Sequence, residues 1–395
     1  MKEDVDSTSV FFVVADNKGF AARIKRTFQL AAAVQNITHR ASFVYVLNGA
    51  AAENQLLQLA SEHQLDGQLF IGRQKLLPKG AKIPTLLLNF ISGLYIFRIL
   101  LERTRLHDDS FIFLYGQSFF LHFPSFLLAK LSKKNICCDL TEEIVRRRFD
   151  IINPSYLDFQ LFTHILCKYY DRVIGISEYW RANWKQRSIN ETLDVVPPMS
   201  SGPNENGLRH FDLRRAVELC YVGALAERDQ PDLLESIIFK LDEILDSWVL
   251  NVCGVSEEKF FNRLPQLRKL QHKIAVKGFV SMQERNCVLA QSHFGLLLRD
   301  FSTSARACGA TRIPEYLEYG VVPVGCGATT LDGLLDRERV MLYTPDGESG
   351  VGGIASQIAS TWGDGKTPIM SERCASFARR ELGWWSQAQR FGEGL

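Results

Sequence analysis

Short apolar runs alternate with longer amphipathic stretches along the whole chain. The first run, Val10–Ala15, has no polar position, which is the pattern of a strand buried on both faces. Asp16, Asn17, Lys18 and Gly19 read as a turn, Ala21–Val34 as a helix, and Ser42–Leu47 as a second strand closing a βαβ unit. Runs at Leu69–Ile71, Phe111–Tyr115, Ile136–Leu140 and Val173–Ile176 follow, with helical patterns between them. This alternation predicts an α/β fold with a parallel sheet covered on both faces. Leu193–Val196 ends the first half.

Three prolines and two glycines then fall within Pro197–Gly207, which reads as a linker. The pattern restarts with a strand at Glu218–Val222, a turn at Gly223 and a helix at Pro231–Leu245. Pro231 suits the first helical turn, and Asp229 is placed to cap it. Further strands are expected at Trp248–Val252, Ile274–Lys277, Gly295–Leu298, Val321–Val324 and Val340–Tyr343, and a helix at Ser371–Phe391.

At 395 residues, 46% of them apolar, the chain is long enough for two cored domains. The formal net charge of +2 excludes a strongly basic nucleic-acid binder and an acidic disordered tail. Charge is uneven: residues 1–196 carry 24 basic and 19 acidic side chains, and the rest 22 and 25. That is either chance or a first domain suited to an anionic acceptor or lipid surface. Nine scattered cysteines without a C-x-x-C pair read as reduced thiols in a reducing compartment. The opening MKEDVDSTSV does not read as a secretory signal. Leu86–Leu101 and Phe111–Leu131 are too interrupted for membrane spans. They read as a buried strand with a helix, or as a helix resting on a membrane surface.

Nucleotide motifs are mostly near misses. Gly365-Lys366-Thr367 ends like a P-loop, but Ser360 replaces its first glycine. Gly350-Val351-Gly352-Gly353-Ile354-Ala355 fits G-x-G-x-x-A but follows a Pro-Asp-Gly loop, and no acidic residue ends a downstream strand. The informative stretch is Gly295–Val324. There a strand ends at Arg299-Asp300 and a small-residue loop carries Ser302, Thr303, Ser304 and Arg306. A helix from Arg312 to Tyr319, a turn at Gly320 and a strand complete it. Arg299, Arg306 and Arg312 thus surround one loop at the carboxyl end of a strand, where open α/β sheets bind ligands. Guanidinium forks suit a diphosphate, and Glu315 suits sugar hydroxyls. Ordinary surface arginines are the plainer alternative.

This stretch resembles the donor-binding region of retaining GT-B glycosyltransferases of the large family 4 group. Glu315-Tyr316-Leu317-Glu318-Tyr319-Gly320 matches its E-x-[LM]-x-x-G helix, and Val321-Val322-Pro323-Val324 its following strand. Arg299, Ser302, Arg306, Arg312 and Glu315 match one subgroup position by position. Tyr221-Val222-Gly223 with Arg228, Lys277-Gly278-Phe279-Val280, Tyr170–Glu178 and Val195–Pro198 are similar to other family segments, and the Trp384-Trp385 helix resembles its returning C-terminal segment. Two departures stand out. The family's E-x7-E motif begins here at Ala307, and Thr141 stands where a histidine is frequent.

The resemblance implies two Rossmann-like, doubly wound domains facing across a cleft. It implies an acceptor domain at 1–196, a linker at 197–212, a nucleotide-sugar domain at 213–375, and a helix at 376–395 packing back on the first domain. It implies transfer of a sugar from a UDP or GDP donor to a glycan or lipid-linked acceptor with retention, in surface polysaccharide synthesis, without a metal or other cofactor. The place would be the cytoplasm or the inner face of the plasma membrane. Arg299, Arg306 and Arg312 would hold the diphosphate and Glu315 the ribose. Gly223, Arg228, Gly278, Phe279, Ser302, Thr303 and Ser304 would complete the donor site. On the acceptor side, Asn17, Lys18 and Gly19 are either site residues or a plain tight turn. Asp139 and Glu142 either orient an acceptor hydroxyl or cap a helix. Arg146–Arg148 reads as a solvated helix face or a lipid-phosphate contact, and His122 as a core histidine or an acid/base. Ala307 also motivates a different reading: a non-catalytic protein of the same fold that binds a sugar or nucleotide.

Overall fold

The structure, a computed structural model, describes residues 9–16, 22–38, 41–48, 53–65, 69–73, 85–104, 111–142, 153–184, 193–200, 216–326, 331, 335, 338–343, 347–383 and 385–387. The turn at Asn17, Lys18 and Gly19, Arg146–Arg148 and most of the expected linker lie outside them. Two compact units form. One comprises Met1–Met199, Ala307–Gly309 and Trp384–Leu395, the other Ser200–Arg306 and Ala310–Gly383.

The first unit is a seven-stranded parallel sheet. Its strands are β1 (Ser9–Asp16), β2 (Ala41–Asn48), β3 (Leu69–Arg73), β4 (Phe111–Tyr115), β5 (Asn135–Leu140), β6 (Arg172–Gly175) and β7 (Asp194–Val195), in the order β3-β2-β1-β4-β5-β6-β7. The helices are α1 (Ala22–Thr38), α2 (Glu53–Glu62), α3 (Thr85–Thr104), α4 (Phe119–Leu131), α5 (Pro154–Leu161) and α6 (Glu178–Trp184). The uninterrupted apolar run of β1 is explained by its two neighbours. Val10, Phe12 and Val14 share a core with Ile24, Phe28 and Val34 of α1. Phe11 and Val13 share another with Ile96 and Leu100 of α3, Leu128 of α4 and Phe159 of α5. Side chains alternate along a strand, so covering both faces requires apolar residues at every position.

The second unit repeats the plan with β8 (Val217–Val222), β9 (Trp248–Cys253), β10 (Ile274–Gly278), β11 (Phe294–Leu298), β12 (Val322–Cys326) and β13 (Leu342–Tyr343), in the order β10-β9-β8-β11-β12-β13. Its helices are α7 (Pro231–Ile244), α8 (Glu257–Arg263), α9 (Met282–Gln291), α10 (Thr303–Ala307), α11 (Arg312–Glu318), α12 (Gly347–Gly363) and α13 (Thr367–Phe377). Both sheets are doubly wound, and each reverses direction beside its first strand, between β1 and β4 and between β8 and β11. That reversal opens a crevice at the carboxyl ends of the strands.

The expected C-terminal helix is two pieces. Cys374, Phe377, Ala378 and Leu382 belong to the second unit's core, and the chain passes to the first unit after Gly383. No helix among the described residues is long and apolar enough to cross a membrane.

Candidate functional site

At the switch point of the second sheet, β8 and β11 pair only through Phe294–Leu219 and Gly295–Cys220. Beyond that the Tyr316 hydroxyl lies between them. It accepts from the Val222 N–H at 3.3 Å and donates to the Leu296 carbonyl at 3.3 Å. Gly295 makes room for the ring, because a Cβ there would lie 2.5 Å from Tyr316 Cδ2.

The turn after β8 carries the charged centre. Arg312, the first residue of α11, donates through Nη2 to Asp229 Oδ2 at 3.0 Å, and its guanidinium lies 5.2 Å from the Tyr221 ring centroid. The Tyr221 hydroxyl donates to the same Asp229 oxygen at 3.2 Å. Burial works against the Arg312 charge, but Tyr221 and Asp229 outweigh it and raise its pKa above the ordinary arginine value. Burial likewise pushes the Tyr221 hydroxyl up to about 12. Gly223 leaves space for the guanidinium, since a Cβ there would come within 2.5 Å of Arg312 Cζ. Arg312 Nη1 is buried and has no hydrogen-bond partner among the described residues.

The loop after β11 is fastened to this turn. The Gln230 side chain donates to the Arg299 carbonyl, and the Asp300 N–H donates to the Arg228 carbonyl at 3.2 Å. Arg299 is buried, and its N–H donates to the Cys326 carbonyl of β12 at 3.1 Å. Asp300 Oδ1 accepts from the Ser302 hydroxyl at 2.6 Å, and Ser302 Oγ accepts from the Ala305 N–H, so this serine caps α10. Thr303 and Arg306 are exposed on that short helix, and Ser304 is half-buried. Glu315, one turn into α11, accepts from Arg285 Nη1 of α9 at 3.1 Å. Gly278 ends β10 with a φ of 72°, and Phe279 beyond it is 84% exposed.

The structure therefore gathers Gly223, Arg228, the Arg299 main chain and Arg312 around one turn, with Glu315 on the same helix as Arg312. Asp229, expected to cap α7, holds Arg312 instead. The cap position is Gln230, in the left-handed region at φ 44°. Asp229, Tyr221, Gln230 and Arg285 went unread in the sequence as site residues. Their roles depend on partners 69 to 91 positions away in three of the four cases, the exception being Arg285 with Glu315 at 30.

In the first unit, Asp139 at the end of β5 is fully buried and bound at both oxygens by Arg26 of α1, Nε to Oδ2 at 2.6 Å and Nη2 to Oδ1 at 3.1 Å. The same guanidinium donates to the Val196 and Pro197 carbonyls at 2.9 and 3.0 Å. Burial pushes the Asp139 carboxyl above its ordinary value, and Arg26 pulls it back. Through Arg26 this carboxylate fastens the end of β5 to the chain leaving β7. Glu142 is exposed, and its N–H donates to Gln117 Oε1 at 3.3 Å. His122 is a core residue, with Nδ1 3.0 Å from the Tyr170 hydroxyl, and burial lowers its pKa to about 4. Ala307, grouped with the first unit, is fully buried there. Its carbonyl accepts from Ser177 Oγ at 3.2 Å and Trp180 Nε1 at 3.1 Å.

Comparison with protein-family models finds no match, and comparison with curated protein sequences finds none that is significant. Solved structures are similar along nearly the whole chain. A glycosyltransferase from Rickettsia africae matches with a TM-score of 0.69 at 12% identity, covering 98% of this chain and 97% of its own. HepE of Anabaena, solved with UDP and glucose, matches at 0.66 and 12% identity over 98% of both chains. A putative UDP-N-acetylglucosamine 2-epimerase from Listeria monocytogenes matches at 0.62 and 11%, covering 97% and 94%. These likenesses establish the GT-B fold, with its two parallel-sheet α/β domains.

Proposed function

We propose that the chain is a family 4-like retaining glycosyltransferase that moves a sugar from a nucleoside-diphosphate donor to a glycan or lipid-linked acceptor. The observation that carries this reading is Arg312, held by Asp229 above the Gly223 turn, with one buried guanidinium nitrogen that has no acceptor among the described residues. It sits at the switch point, where this class of sheet binds ligands. HepE was solved with UDP, the nucleoside-diphosphate part of a donor of the kind the site suits.

In this reading the anomeric C–O bond breaks through an oxocarbenium-like transition state, and negative charge develops on the departing diphosphate. Arg312, largely shielded from water, stabilises that charge where it is worth most, and Arg299 after β11 and the exposed Arg306 of α10 are assigned to it as well. Glu315, oriented by Arg285, accepts from ribose hydroxyls, and exposed Phe279 offers a face to the base. The acceptor oxygen then bonds to the anomeric carbon on the face the diphosphate left, and the diphosphate takes that hydroxyl's proton, which gives retention.

Calorimetry against UDP, GDP, ADP and CMP tests the reading. One of the diphosphates is expected to bind, and Arg299→Ala and Arg312→Ala are expected to abolish binding in folded protein. If both variants bind donor like wild type, the site assignment fails. Unchanged turnover in Glu315→Ala removes that residue alone.

One observation favours a non-catalytic binding protein instead. Position 307 holds a buried alanine whose carbonyl is committed to Ser177 and Trp180. Turnover or slow hydrolysis of any nucleotide sugar excludes that alternative.

A further inference from the structure

The first unit leaves an unusual amount of apolar side chain in water on one group of helices. Phe123, Leu127 and Leu131, spaced i, i+4, i+8 along α4, are 38%, 44% and 75% exposed. This spacing aligns them as one stripe on the helix surface. Leu87 and Leu94 of α3 are 48% and 47% exposed, and Leu157 of α5 and Ile165 and Tyr169 in the helical turns that follow it are exposed as well. These helices form one packed group. Gly93 of α3 lies so close to α4 that a Cβ there would come 2.6 Å from the Leu121 carbonyl oxygen. Asp158 of α5 accepts from Asn89 of α3 and from Ser118 and the Phe120 N–H at the start of α4.

Charge on this face is mostly basic, its exposed acids Glu102 and Asp171 being paired with Arg98 and Lys130. Over residues 119–134 and 153–170 the only acid is Asp158, which is buried and used by those bonds. The cations are Lys130, Lys133 and Lys134 at the end of α4 and Lys168 after α5. Lys130 reaches out to Asp171 at 2.7 Å, and Arg98 of α3 pairs with Glu102. A protein partner is a poor fit, because lysine is depleted from protein–protein interfaces. Leucine and phenylalanine beside an excess of lysines complement the acyl boundary and anionic headgroups of a bilayer.

We infer that the α3–α4–α5 face of the first unit docks on an anionic lipid bilayer, with Phe123, Leu127 and Leu131 entering the acyl boundary and the lysines meeting the headgroups. This face is independent of the donor site, so the two can fail separately.

Flotation of the full chain with vesicles of phosphatidylcholine, alone or mixed with phosphatidylglycerol, tests the inference. The wild type is expected to float with the anionic vesicles, and less at high salt. Leu127→Asp/Leu131→Asp and Lys133→Glu/Lys168→Glu are each expected to weaken that binding about tenfold or more, with nucleotide binding and melting temperature unchanged. If the wild type stays with the unbound fraction, or if both variants float like it, the inference is overturned. Light scattering supplies the remaining arm. A dimer that the leucine variant dissociates would assign this face to a second copy of the chain and overturn the lipid assignment.

Discussion

Arg312 and Asp229 lie 83 positions apart and meet at 3.0 Å over the turn that ends β8. The Asp229 side chain is 3% exposed and that of Arg312 18%, so neither charge is well hydrated. Removing one partner of such a pair strands the other, at a cost of about 3–5 kcal/mol. Asp229→Ala is expected to destabilise the second unit by this order in denaturant titration. It should also weaken donor-nucleotide binding about tenfold or more, because the guanidinium loses its orientation. An Asp229→Ala variant with wild-type stability and wild-type nucleotide binding would contradict the coupling.

Gly223→Ala tests the same geometry from the other side. The added methyl group overlaps the guanidinium, which must leave Asp229 or Tyr221. The expected result is a loss of nucleotide affinity comparable to that of Arg312→Ala, with a cost of about 1–3 kcal/mol in stability.

Arg26 and Asp139 make a corresponding pair in the first unit, with side chains 5% and 0% exposed. Asp139→Asn is expected to cost about 3–5 kcal/mol. Nucleotide binding by the folded fraction should stay at the wild-type level, which separates this structural pair from the proposed donor site.

A pH effect follows from His122 and His63, each lowered by burial to about 4. The unfolded chain binds protons at these histidines near pH 6.5, and the folded chain does so only near 4. Their contribution is therefore complete above about pH 6.5 and is lost as pH falls toward 4, by roughly 3 kcal/mol for each buried histidine. The melting temperature of the first unit should fall over that window, and His122→Gln should flatten the fall. An equal slope in the variant would remove His122 as a cause.

The two sheets were legible in the sequence because burial on both faces leaves continuous apolar runs such as Val10–Val14 and Phe294–Leu298. The turn at Gly223 and the placement of Arg299, Arg312 and Glu315 between β11 and β12 could also be read, because a strand, a small-residue loop and a helix follow one another there. What could not be read was pairing at a distance. Asp229 beside Pro231 has the local appearance of a helix cap, and only the folded chain brings Arg312 to it. Asp139 likewise gives no local sign of Arg26, which reaches it from 113 positions away. Local pattern fixes which elements form, whereas the partner of a buried charge is decided by topology.

Tyr316 adds one more consequence. Two strands that part would ordinarily strand an amide and a carbonyl, and a gap with such groups unsatisfied tends to close or fill with solvent. Here a single phenol serves both, so the sheet stays split without a polar penalty. Its fork is thus preorganised in the resting chain, and none of a ligand's binding energy goes into prying the strands apart. Tyr316→Phe keeps the ring and deletes this bridge. It should appear as faster amide exchange at Val222 and a slower nucleotide on-rate, even where the overall fold is retained.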